Sequence, residues 1–347
     1  MDFFRDVPRD IFDEFYNLIK PVVFGVTARN PEIAHHLFAN SLKGLNAVGL
    51  SRLVLDNSAN RLDPGYSISN GAGFNKNGEI NPRLMKLLGF DRVVVGTVTG
   101  DPWKGAAKPR IKRFPETGSL VNWMGLPGIG AEGVARKLEK YGAHGVPLTV
   151  NLMSTPGKNK QGVLDDLKRT VSVMQGVPYV DRFELNISCP NTHGKDGKRD
   201  ARAEYQGQLD GMLDVVRGEV GLEKSLYLKV SPDLAESDVD GIVRVSEKYA
   251  VNGYTTTNTT TKHDDKYVTE SLGHGGASGN AVWEDSVRTQ KYFADRVGDD
   301  VKLIGCGGIN SADRAWRRTL IGNCKEVQVF TGLIFKGTGL MQELRRG

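Results

Sequence analysis

The chain has 347 residues, with 46 basic against 41 acidic side chains and a formal net charge of +5. That mild excess lacks the electrostatic footprint of a nucleic-acid-binding protein, and 39% apolar with 25% charged residues describes a packed fold, not a disordered chain. No apolar run approaches the ~18 residues of a spanning helix, and the three cysteines, Cys189, Cys306 and Cys324, fit neither a disulfide framework nor a zinc cluster.

In the first 60 residues, Phe4, Val7, Ile11, Phe12, Phe15, Leu18, Ile19 and Val22 recur at helical spacing. Asn30-Pro31 is a capping residue followed by a first-turn proline, and it opens a second helical pattern with Ile33, Ala34, Leu37, Phe38, Leu42 and Leu45 on one face. The spacing predicts a helical hairpin over 1–60. Its apolar face either packs on the domain that follows or meets a membrane surface or an apolar ligand. The opening MDFFRDVPRD has no basic n-region, so no secretory signal is expected.

From residue 66 onward, short β-type runs alternate with amphipathic helical stretches. The strand candidates are 67–73, 92–99, 147–153, 182–188, 226–231, 253–260, 302–308 and 326–334. In GVLDDLKRTVSVMQ, Val163, Leu164, Leu167, Val171 and Met174 share a helical face. Eight βα units predict an α/β fold closed as a (β/α)8 TIM barrel over 61–347, with the helical segment as an N-terminal extension. A doubly wound open sheet is the alternative, but no G-x-G-x-x-G opens the first unit. Two connections are long. KPRIKRF and SLVNWMG read as an inserted hairpin, and the stretch after residue 260 is a polar excursion; long connections in compact domains are usually functional.

Strand alternation points to the site. In RFELNIS, Phe183, Leu185 and Ile187 share the parity that should face the helices, which turns Glu184, Asn186 and Ser188 inward. The same reasoning turns Thr149, Asn151, Lys229 and Asn258 inward. Several amides and a lysine at the strand C-termini would be costly to bury unless they meet a polar ligand. The last two strands end in glycine-rich turns, so Gly307, Gly308, Thr331 and Gly332 are candidates to hold a phosphate through backbone N–H groups. Cys189 follows the fourth strand beside Asn186, Ser188 and Asn191. A buried structural cysteine is the bland reading; a thiolate that takes a proton from bound substrate is the sharper one. Cys306 and Cys324 read as packing residues. Lys76 adds a cation at the mouth, in a loop where lysines are usually just solvated.

GAGFNKNGE, VNWMG, NISCPNT, LKVSPDL, TNTT, GGASG, IGCGGI and VQVFTGLIFKG stand in the order found in dihydroorotate dehydrogenases, and the chain resembles that family from about residue 30 to 340. The resemblance implies an FMN-containing barrel that oxidises dihydroorotate to orotate in pyrimidine synthesis. By motif position, Lys76, Asn122, Asn186, Asn191, Asn258 and Thr259 look like orotate contacts and Cys189 like the base. Ala72, Gly73, Thr97, Asn151, Asn186, Lys229, Thr257, Gly276, Gly279, Gly307, Gly308, Phe330 and Thr331 look like flavin contacts. NPEIAHHLF resembles the extension of the membrane-associated, quinone-using class, in which His35 and Arg110 would line the quinone site and the protein would sit peripherally on the cytoplasmic face of a membrane. The chain departs from that class at Cys189, where the class has serine, in the longer NLMSTPGKNK, and in the polar loop after NISCPNT. Cysteine is the habit of the soluble cytoplasmic classes that use fumarate or an NAD-linked partner. Two rival functions are an FMN barrel acting on another pyrimidine and, from a different class, a Schiff-base sugar-phosphate aldolase using Lys229.

Overall fold

The computed structural model describes residues 10–28, 31–47, 63–188, 208–270 and 272–346. Two helices come first, α1 (Asp10–Val26), which runs through Pro21, and α2 (Glu32–Ala47). The strands follow as β1 (Ser67–Asn70), β2 (Val93–Val98), β3 (Pro102–Trp103), β4 (Ile111–Phe114), β5 (Ser119–Asn122), β6 (Gly128–Ile129), β7 (Leu148–Leu152), β8 (Val180–Asn186), β9 (Ser225–Val230), β10 (Gly253–Thr256), β11 (Gly276–Gly279), β12 (Lys302–Cys306) and β13 (Cys324–Val329).

Eight of these form one sheet in the order β1-β13-β12-β10-β9-β8-β7-β2, and every neighbouring pair in it is parallel. The two ends meet: Ser69 and Arg92 form a parallel bridge, and the Asn70 side chain supplies the next rung. Its Nδ2 donates to Val94 O at 2.7 Å and its Oδ1 accepts from Val94 N at 3.0 Å. The sheet is thus a TIM-like barrel, as the count of eight βα units predicts.

Helices cover the outside. Val163, Leu167, Val171 and Met174 of helix Lys160–Gln175 are buried with Phe183 and Leu185 in one continuous core. The inside is polar. Arg182 Nη1 donates to Glu326 Oε2 at 2.7 Å, Ser69 Oγ donates to Glu326 Oε1 at 2.7 Å, and the Arg182 guanidinium lies 4.4 Å from the Tyr227 ring centroid. One layer higher, Glu184 accepts from Asn151 Nδ2 at 2.6 Å, from Gln328 Nε2 at 3.3 Å and from the Thr255 hydroxyl. These layers hold the strands in register by charge and hydrogen bonding, where branched apolar residues fill most barrels.

The strands end sooner than alternation suggests. β1 stops at Asn70 and β10 at Thr256, and β13 ends at Val329, where Thr331 opens a helix through Lys336. Glycines and loop hydrogen bonds break the pleat just where the mouth begins. The inserted hairpin is present as β4 and β5, and the polar excursion after residue 260 returns as β11, making the antiparallel sheet β11-β5-β4 over that mouth.

The N-terminal helices dock beside this small sheet. Arg110 at the head of β4 is buried in a two-pronged pair with Glu32 of α2, Nε to Oε1 at 2.8 Å and Nη2 to Oε2 at 2.9 Å. Arg113 donates to Thr27 Oγ1 at 2.8 Å and stacks 4.1 Å from the Phe24 ring centroid. Lys20 Nζ donates to Phe335 O at 2.9 Å. Leu18, Val22 and Val26 of α1 and Ile33 and Leu37 of α2 remain exposed, at spacings of four residues that place each set on one face. Among the described residues, no helix is long and apolar enough to cross a membrane.

Candidate active site

The C-terminal mouth collects the polar side chains that strand parity brings inward. Asn186 ends β8, and its Oδ1 accepts from Ser188 N at 3.2 Å and from Asn258 Nδ2 at 3.5 Å. Asn258 Nδ2 also donates to Ser188 O at 3.2 Å. Asn258 reaches this position by a route that alternation does not give. On β10 it is Thr255 that meets Glu184, so continued pleating would turn Asn258 outward. Instead the chain leaves the strand after Thr256, with Thr257 N bonded to Cys306 O at 2.6 Å and Asn258 N bonded to Val230 O at 2.8 Å. Those two bonds roll the Asn258 amide into the mouth.

Lys229 lies on β9, beside Asn186 in register, and is only 4% exposed. Among the described residues no carboxylate pairs with its ammonium, which lies 3.8 Å from Cys306 Sγ. Cys306 therefore faces the site, whereas the sequence reading makes it a packing residue. The reason is again parity: Leu303 joins the outer apolar core and Cys306 falls on the opposite face of β12. Cys324 is a packing residue, fully buried, with its thiol near Glu326 O at 3.4 Å. Burial pushes that thiol above its ordinary range. Asn151 sits beneath Lys229's layer, and its Oδ1 is buried without a donor among the described residues.

Two loops cover the opposite wall. The β1 loop lies on Phe330: a Cβ at Gly71 would sit 3.3 Å from Phe330 Cβ, and one at Gly73, where φ is +95°, 3.4 Å from its ring. Ala72 lies between them, and Gly73 N bonds to Gly96 O at 2.6 Å. Lys76 Nζ donates to Thr97 O at 3.2 Å, which points it along the rim toward the mouth. Asn122 pairs in register with Gly276, and its Nδ2 donates to Gly276 O at 3.3 Å. Thr259, next to Asn258, takes its Oδ1 with a backbone N–H at 2.9 Å.

The glycine turns converge on the last wall. Gly279 has φ +77°, and a Cβ there would lie 2.2 Å from Gly118 O and 3.0 Å from Thr331 Cγ2. A Cβ at Gly308 would lie 2.7 Å from Trp283 Cβ. Ser278 and Thr331 share a hydroxyl contact of 2.9 Å, a pair the sequence reading does not include on the serine side. Gly308 and Ile309 are buried, and among the described residues their N–H groups have no acceptor. Buried N–H groups are rarely left so unless a ligand or water takes them.

A model of the family described as dihydroorotate dehydrogenase matches residues 62–347. The chain belongs to this family. Among its relatives, the "Dihydroorotate dehydrogenase (quinone)" of Natronomonas pharaonis is 32% identical over 349 residues, covering 96% of this chain and 93% of that protein. The protein of the same name from Acidithiobacillus ferrooxidans is 34% identical over 360 residues, covering 95% and 93%. A crystal structure of DHODH from Eimeria tenella in complex with ferulenol superposes with a TM-score of 0.77 at 24% identity, covering 94% of this chain and 93% of that one. That structure shares the fold.

The structure brings Asn186, Asn258, Lys229 and Asn151 together, and sets Lys76, Thr97, Asn122 and Gly276 along the rim. Cys189 and Asn191 lie outside the described residues, as does the side chain of His35. Arg110 lies next to Ile111, the register partner of Asn122, with its fork occupied by Glu32 of α2. Glu32 itself was not legible as a site residue, because a pair spanning 78 positions leaves no local spacing signal.

Proposed function

We propose that this dihydroorotate dehydrogenase oxidises dihydroorotate to orotate with FMN as its flavin, in pyrimidine biosynthesis, and that a quinone is its electron acceptor. The observation that carries the flavin reading is Lys229: a buried ammonium at a barrel mouth with no carboxylate beside it among the described residues. Burying an unpaired charge is costly, so the site is built for a group that takes on negative charge. Among the described residues Asn151 Oδ1 is a buried acceptor with no donor, and the N–H groups of Gly308 and Ile309 are donors with no acceptor. A flavin mononucleotide, with ring N–H and carbonyl edges and a phosphate, suits that set. Lys229 and Asn151 would hold the ring edge; Gly279, Gly307, Gly308 and Thr331 would hold the phosphate; Ala72, Gly73, Thr97, Thr257, Gly276 and Phe330 would complete the walls.

When bound, FMN supplies a two-electron acceptor that takes hydride from the substrate. The chain supplies the rest. Asn122, Asn186, Asn191, Asn258 and Thr259 present amides and a hydroxyl to the planar, amide-rich dihydroorotate, and Lys76 faces its carboxylate. Cys189 removes the proton from the carbon next to the ring carbonyl while hydride leaves the neighbouring carbon, so the substrate loses two hydrogens and gains a double bond. A thiolate can serve near neutrality, since the free thiol pKa is about 8.5.

The exposed apolar faces of α1 and α2 support the acceptor reading. A quinone is apolar and lives in the bilayer, and Leu18, Val22, Val26, Ile33 and Leu37 offer a surface that can rest on lipid and admit it. His35 and Arg110 would stand on the path inward. Anaerobic mixing with dihydroorotate tests the substrate half: the bound yellow flavin should bleach with dihydroorotate and stay coloured with dihydrouracil. Bleaching by both alike would assign the chain to another pyrimidine, and a colourless protein would contradict the flavin itself.

A further inference from the structure

Among the described residues Arg318 is the largest side chain with no solvent exposure, at 0%. It enters from helix Ala312–Thr319 and crosses β12 at Gly305, where a Cβ would lie 2.9 Å from Arg318 Cβ. Every hydrogen-bond acceptor it has among the described residues is neutral. Nε donates to Gln290 Oε1, Nη1 to Ser286 Oγ at 2.7 Å and to Gly307 O at 3.5 Å, and Nη2 to Thr256 O. Burial lowers its pKa to about 10, so it remains a cation at neutral pH. A fully buried charge without a counter-ion is expensive and normally neutralised from nearby. Nothing among the described residues performs that role.

The neighbouring Arg314 repeats the pattern. Its Nη1 donates to Gly308 O at 2.7 Å and to Asn280 Oδ1 at 2.6 Å. The two guanidinium groups lie 4.7 Å (Arg314) and 5.9 Å (Arg318) from the centroid of the Trp283 ring. Arg314 therefore holds the Gly308 carbonyl, and Arg318 holds the Gly307 carbonyl together with Ser286, whose Oγ accepts from Arg318 and donates to Gly307 O at 3.2 Å. Both peptides in that turn are trans, and in a planar trans peptide the C=O and the following N–H point in opposite directions. A carbonyl of Gly307 drawn back to Arg318 sends the Gly308 N–H the other way. A carbonyl of Gly308 drawn to Arg314 does the same for the Ile309 N–H. Those two N–H groups of the turn have no acceptor among the described residues.

We propose that Arg318, assisted by Arg314, is the cationic backing of the phosphate end of the flavin site: it acts through the Gly307–Ile309 backbone, aiming and polarising N–H groups toward a dianion it does not touch. Hydrogen bonds in series strengthen one another in a low-dielectric interior, and the dianion across the turn offsets the buried charge. Arg318 and Arg314 are positioning residues. The inference rests on the FMN reading above and adds a reason why the chain would choose the mononucleotide over the same ring without phosphate.

The experiment titrates the full-length chain, freed of flavin, with FMN and with riboflavin, following flavin fluorescence. The readout is the ratio of the two dissociation constants. The wild type should prefer FMN. Arg318→Gln should reduce that preference about tenfold or more while leaving riboflavin affinity within about twofold, because a hydrogen-bonded charge is lost only to the phosphate. Arg318→Lys should restore most of the preference. Should Arg318→Gln fail to fold, Arg314→Gln, at a half-buried position, carries the same test with an expected selective loss of a few-fold. A purely structural role would weaken both flavins equally, and that result, or an unchanged ratio in the variants, would overturn the inference alone. A wild type that binds both flavins equally would overturn the FMN reading and the inference with it.

Discussion

Replacing Glu32 by alanine should release the N-terminal helices from the barrel without disturbing the flavin site. The Glu32 and Arg110 side chains are 9% and 8% exposed, and they share two hydrogen bonds of 2.8 and 2.9 Å. Removing one partner of a buried pair typically costs about 3–5 kcal/mol, because the other charge is stranded. Arg110 keeps the carbonyls of Lys104, Ala106 and Met124 at 3.0, 3.2 and 3.5 Å, which favours the low end, about 3 kcal/mol. At about 1.4 kcal/mol per decade, that is roughly two orders of magnitude in the docking equilibrium of α2. The eight-stranded barrel does not depend on this pair, so the loss should stay local. Hydrogen exchange over residues 31–47 should accelerate about 100-fold while β7 and β8 remain protected. Turnover with quinone should fall, and flavin bleaching by dihydroorotate should not. Deleting residues 1–45 is the limiting case of the same split. The double variant Glu32→Leu with Arg110→Met should regain most of the protection, since an apolar pair of similar volume replaces the ion pair without a stranded charge. Unchanged exchange in Glu32→Ala, or equal damage to both half-reactions, would refute the view that this pair docks a helix serving only the acceptor.

Two further predictions concern the reductive chemistry. Lys229→Ala should weaken flavin binding and slow bleaching by roughly 30- to 1000-fold, the effect of about 2–4 kcal/mol for one preorganised electrostatic group; stopped-flow absorbance measures both, and a variant with normal colour and rate would remove Lys229 from the mechanism. Flavin reduction should rise with pH through the ionisation of the Cys189 thiol and level off above it, because only the thiolate accepts the proton; Cys189→Ala should lose about 10²–10⁴-fold in this step, and an unchanged pH profile in that variant would assign the base elsewhere.

The barrel was legible because its signals are local. Apolar alternation, helical faces such as Val163–Leu167–Val171, and glycine-rich strand ends each occupy a few consecutive residues. Parity placed Glu184, Asn151 and Lys229 on the inner face for the same reason. Asn258 is also inward, as expected, but for a reason alternation does not give: the chain leaves β10 before reaching that residue, and two backbone bonds set its direction. Cys306 reads as a packing residue in the sequence because a thiol in an apolar strand looks alike on either face until the register is known. The pairs Arg182–Glu326, Arg110–Glu32 and Arg318–Gln290 span 144, 78 and 28 positions. Such pairs depend on which strands and helices become neighbours, and a single sequence carries no trace of them.

Two features of the chain point to different acceptors: Cys189 resembles the soluble classes, and the exposed apolar faces of α1 and α2 suit quinone. The most direct measurement supplies dihydroorotate anaerobically with a short-chain ubiquinone, fumarate or NAD⁺ in parallel, and follows orotate formation. A quinone acceptor predicts orotate in step with quinone consumption, one molecule for one, and little with the other two. Orotate formed with fumarate or NAD⁺ and not with quinone would contradict it.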